Sequence, residues 1–192
     1  RQYGEWHFED HPEFTPNLSP REIFALGSFG GAYWRSITSS ITHKTYPNTQ
    51  HLEFTEYWAP QSPSGSRVDA TLLNSPVADV SRNRYKVHSG SSLAEWEKKR
   101  RDGTTWIHPQ DPYGWVQWYC RFFAGRRTND DARQIKRWQN YAGSQGRFRK
   151  RLIRLVSEQC RAEGKSIRAI PARLVNDTSI SPVIRQGLQT WG

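Results

Sequence analysis

With 192 residues, a formal charge of +10 and a hydrophobic share of only 35%, the chain has the length for one core and lies below the size at which cores divide. Aromatic residues make up 13%, with nine Trp, so the core is expected to be aromatic-heavy. No run approaches the roughly 20 apolar residues of a membrane span, residues 1–10 carry no secretory pattern, and two cysteines, Cys120 and Cys160, give no disulfide framework or zinc-ligand spacing.

The expectation is a soluble intracellular protein, nuclear or cytoplasmic, with reduced thiols. Its charge is polarised: residues 1–80 carry −4 and residues 81–192 carry +14. From Arg121 to Arg173, 15 basic residues face 4 acidic ones, a density that repels itself unless counterions or a polyanion lie against it.

Residues 1–18 have no periodicity and read as an irregular arm rather than a domain. Ser19-Pro20-Arg21-Glu22 predicts a helix start, with Ser as cap, Pro at the first position and Glu closing a capping box. That helix should end near Leu26, before Gly27. The glycine-rich stretch 27–31 predicts a tight turn or a close approach to another chain, followed by extended structure over Tyr33–Ile41. It matches neither a Walker loop nor a dinucleotide fingerprint, so no nucleotide cofactor is expected. Residues 60–66 read as a loop, and Tyr85–Val87 as a second short extended segment.

Ser92 and Glu95 predict a helix over Leu93–Arg101, its terminal cations favouring the dipole. Asp111-Pro112 predicts the start of a central core helix that runs to Ala124 and stops at Gly125. Thr128 and Asp131 predict another helix, ending at Gly143, with Ile135 and Trp138 inward and Arg133, Lys136 and Arg137 around the rest. A helix over Gln145–Glu163 sets Phe148, Leu152, Leu155, Val156 and Cys160 against a ridge of Arg147, Lys150, Arg151 and Arg154. Ser181-Pro182 predicts a last helix with Ile184, Leu188 and Trp191 inward. The fold class is therefore mainly α, with α+β as the alternative: a single domain, 1–192, whose residues 111–192 form a helical basic region.

Cations along one helix face can meet successive phosphates. The leading expectation is a nucleic-acid-binding protein that uses Arg126, Arg127, Arg133, Lys136, Arg137, Arg147, Lys150, Arg151 and Arg154. DNA is favoured over RNA because no RNP or KH motif is present. The pair Arg126-Arg127 reads two ways, as a fork for phosphate or guanine or as a cap on the preceding helix.

Asp111, Gln117, Tyr119 and Arg121 lie among aromatics, and either form a hydrogen-bonded core network or line a pocket. As a pocket they would stack an extruded base, with Asp111 doing acid–base chemistry in a glycosylase-like enzyme. A protein-interaction module pairing the acidic and basic halves is a third reading. His7 and His11 lack a third strong ligand, so no metal is expected. The chain is expected to be a monomer or weak oligomer that does not bind membranes.

The blocks FALGSFGGAYWRSI (24–37) and DPYGWVQWYCRFFAGRRTNDDARQIKRW (111–138) resemble an uncharacterised family of small basic proteins found across several kingdoms. The shared pattern is FGGxYxR and DPxGWxQWYxRxxxGRRxxDDxRQIxRW. The resemblance implies a shared fold, and no substrate or catalytic residue.

Overall fold

A computed structural model describes residues 4–59 and 67–192; the predicted loop at 60–66 lies outside them. The fold is mainly α. Its helices are α1 (Pro20–Ala25), α2 (Thr55–Trp58), α3 (Leu93–Glu97), α4 (Trp115–Phe123), α5 (Asp131–Tyr141), α6 (Arg147–Ala162), α7 (Ala172–Val175) and α8 (Pro182–Thr190). Two three-residue strands, β1 (Ile37–Ser39) and β2 (Lys44–Tyr46), form an antiparallel hairpin with Thr38 opposite Thr45. Short 3₁₀ turns link much of the rest.

The α1 capping box forms as its sequence predicts: Glu22 N donates to Ser19 Oγ and Ser19 N to Glu22 Oε2. Residues 4–18 are irregular but integral to the core. Phe14 is fully buried, edge-on to Trp138 and Phe122, while Phe8 packs on Phe122. Around α4, this cluster gathers Phe24, Trp34, Trp58, Trp118, Tyr119 and Phe122 from both halves of the chain. A smaller cluster of Val156, Cys160 and Leu174 holds α7 against α6. Both cysteines are free and buried.

Several expectations are corrected. Within the predicted span Tyr33–Ile41 the strand is confined to Ile37–Ser39, and Tyr85–Val87 forms turns and bends, with Lys86 left-handed at φ 55. Among the described residues no strand pairs with this segment; it lies against the glycine turn instead, with Asp79 N donating to Gly30 O and Gly30 N to Asn83 Oδ1. Helix α3 ends at Glu97 rather than Arg101, because the buried Glu97 carboxylate accepts from Ser39 Oγ, Ser40 N and Ser40 Oγ. Lys98–Arg101 thus lie beyond the helix and do not complement its dipole.

Helix α4 begins at Trp115, not at Asp111-Pro112. Residues 111–114 make a turn closed by Gly114 N donating to Asp111 O, and Gly114 is the N-cap at φ 87. Two other groups replace a side-chain cap: Tyr33 Oη accepts from Gln117 N, and Gln117 Oε1 accepts from Tyr113 N. Helix α5 likewise starts at Asp131, although Thr128 N and Thr128 Oγ1 both donate to the Asp131 carboxylate in the turn before it. Ser181, predicted as a cap for α8, is left-handed at φ 52 and makes no capping bond.

Gly27 shows how tightly the wrapping segment sits. A Cβ there would lie 1.9 Å from Arg82 O, and its φ is 76. Gly27→Ala is therefore expected to cost about 3 kcal/mol, combining a left-handed backbone with overpacking. Gly125→Ala, also at positive φ but with nothing within 4 Å of its Cβ, should cost about 1 kcal/mol, the backbone part alone. Urea unfolding of both variants checks this; equal losses would contradict it.

Candidate functional site

Two features emerge, a basic helical face and a cavity. The basic face lies on α6. Arg147, Lys150, Arg151 and Arg154 are all exposed, and Lys136 is exposed on α5. Among the described residues only Arg154 of these five has an acidic partner, Glu158 at 3.6 Å one turn on. The opposite side of α6 carries Val156 and Cys160, both buried, with Leu152 packed against that cluster.

The remaining arginines of the predicted interface are each bonded within the fold, although Arg127 is itself exposed. Arg126 Nη2 lies 2.6 Å from Asp111 Oδ2. Arg127 bonds Asp10, donates to Phe122 O and sits 3.8 Å over the Phe122 ring, which is the helix-capping alternative. Arg133 Nε lies 2.5 Å from Asp130 Oδ1. Arg137 is half-buried among Trp96, Trp106 and Trp191.

The four residues singled out around the aromatic block are bonded within the scaffold. The Asp111 carboxylate is fully buried, with Arg121 Nη1 at 2.9 Å and Arg126 Nη2 at 2.6 Å. Arg121 also forks onto Glu53, with Nε and Nη2 each at 2.7 Å from a carboxylate oxygen. Burial alone would lower the Arg121 pKa, but Glu53 and Asp111 hold it above its usual value. Gln117 closes the α4 start as described, and Tyr119 Oη donates to Leu18 O. Burial pushes the Cys120 thiol well up, which suits packing rather than nucleophilic chemistry.

The cavity, about 510 Å³, is bounded by the glycine turn, residues 76–93, the start of α4, and faces of α5 and α8. Its walls include Tyr33, Trp96, Tyr113, Trp115, Tyr141 and Trp191. Asp111, Gln117, Tyr119 and Arg121 do not line it; Arg137, expected on an outer face, does. Of the residues that do line it, Trp191 was expected to face inward, but no local periodicity unites Trp96, Tyr141 and the glycine turn.

No group of His, Cys, Asp and Glu among the described residues could hold a metal ion, and no helix among them is long and apolar enough to cross a membrane. Comparison with protein-family models, curated proteins and solved structures finds no match.

The Asp111 clamp makes a direct prediction. Asp111→Asn leaves two guanidinium groups facing a neutral amide, and breaking a buried pair of this kind costs about 3–5 kcal/mol. Denaturant unfolding at neutral pH measures it. A loss under about 1 kcal/mol would show the pair to be no stronger than a surface contact.

Proposed function

We propose that the chain binds nucleic acid through the outer face of α6 and the adjoining Lys136 of α5. The supporting observation is that α6 has an amphipathic split, with its apolar residues against the small core and four cations outward, of which Arg147, Lys150 and Arg151 have no acidic partner among the described residues. A helix rises about 1.5 Å per residue, so Arg147 to Arg154 extends over roughly 10 Å, enough to meet consecutive phosphates. Arg126, Arg127 and Arg133 are held by Asp111, Asp10 and Asp130, so the contact centres on the exposed ridge. DNA is the favoured polymer, on the same absence of RNA-reading motifs.

Binding of this kind releases counterions and falls steeply with salt, by about 0.9 in log K per log salt for each phosphate neutralised on duplex DNA. Fluorescence anisotropy with labelled single- and double-stranded DNA and RNA across a salt series tests it. Arg147→Ala/Lys150→Ala/Arg151→Ala/Arg154→Ala is expected to weaken binding at least tenfold at low salt and to flatten the salt slope by about 3 units. No binding at low salt, or an unchanged slope, would overturn the reading.

A further inference from the structure

Arg137 occupies an unusual electrostatic position. A desolvated guanidinium ordinarily sits against a carboxylate, because an uncompensated buried charge costs several kcal/mol. Asp130, two helical turns earlier, bonds Arg133 through both oxygens and Gln134 as well. Arg137 has only neutral acceptors, Gln134 Oε1 at 2.7 Å and Trp106 O at 3.3 Å, both taken by Nη1. Its Nε and Nη2 have no acceptor among the described residues.

The rings of Trp106, at 4.9 Å, and of Trp96 and Trp191, each at 5.6 Å, surround the group. Cation–π attraction of this kind offsets part of the desolvation and fixes the plane of the fork. Burial first, then repulsion from Arg133, still pull the Arg137 pKa down to about 9. The group thus remains cationic at neutral pH while short of negative charge.

The cavity that Arg137 lines has a matching character. None of its described lining residues is Asp or Glu, and its basic residues are Arg35, His88 and Arg137. Gly114, Trp115 and Val116 bring the N-terminal end of α4 to the same wall, where the helix dipole adds positive potential. Trp191 lies 4.6 Å from Trp115 and is stacked 4.7 Å from Tyr141, so aromatic surface is continuous across α4, α5 and α8. Its volume of about 510 Å³ falls within the roughly 300–1,000 Å³ typical of small-molecule sites.

We propose that this cavity binds a flat aromatic anion, its ring against the indole and phenol walls and its carboxylate or phosphate on the guanidinium of Arg137. The inference does not rest on the nucleic-acid reading, since Arg137 is not part of the exposed ridge.

Calorimetric titration of the full chain with 2-naphthoate, 2-naphthyl phosphate and neutral 2-naphthamide tests it, the two anions separating a carboxylate from a phosphate preference. At least one anion is expected to bind tenfold or more tightly than the amide, a ratio within reach of one charge-assisted fork. Arg137→Gln should abolish that preference while amide binding stays within about threefold of wild type. The quadruple α6 variant should retain the preference, which separates the cavity from the ridge even if Arg137→Gln does not fold. Equal affinity for anions and amide, no binding below about 1 mM, or loss of the preference in the α6 variant would each overturn the proposal.

Discussion

The fully buried Asp111 carboxylate is the interaction on which much of the structure depends. A carboxylate is costly to remove from water unless paired and hydrogen-bonded, and Asp111 has two arginines, one near the end of α4 and one in the loop after it. Arg121 extends the chain of charges to Glu53, in the turn before α2. Three separate pieces of backbone, at Glu53, Asp111 and Arg126, are thereby fixed to α4. This is why α4 starts late: Asp111 faces the helix end and the following loop, so it cannot also cap the helix at its own position.

The same logic divides the positive charge into two populations. Arginine's rigid, forked donors suit bonding inside a fold, and Arg121, Arg126, Arg127 and Arg133 each meet a carboxylate contributed by the chain itself. What remains outward on α6 is a smaller but cleaner cationic surface than the composition implies. Arg137 belongs to neither population, since it is enclosed by rings and bonded only to neutral oxygens.

Legibility in the sequence followed the range of the interactions. The box of Ser19 and Glu22, the stop at Gly125 and the two faces of α6 were readable, because residues three or four apart settle them. The end of α3 was not, because it depends on Glu97 reaching Ser39 and Ser40 nearly sixty residues away. The same holds for the site. Exposure of the α6 ridge followed from helical periodicity, whereas Arg127 is paired with Asp10, which lies in the irregular arm at the other end of the chain. The cavity draws its walls from five separate segments, and no spacing in a single stretch records that convergence.

The two hydrophobic clusters differ greatly in size, and this bears on how the molecule opens. Helix α6 carries the exposed cations, yet among the described residues Val156, Cys160 and Leu174 are the only buried apolar ones in its cluster, and Ile153 on the same helix is 54% exposed. Free energies of local opening scale with such buried contact, so amide exchange in α6 and α7 should outpace that in α4, where Trp118, Tyr119 and Phe122 are sealed. A polyanion held by the closed form of α6 alone would slow that exchange by mass action, tying occupancy of the surface to the order of the helix beneath it.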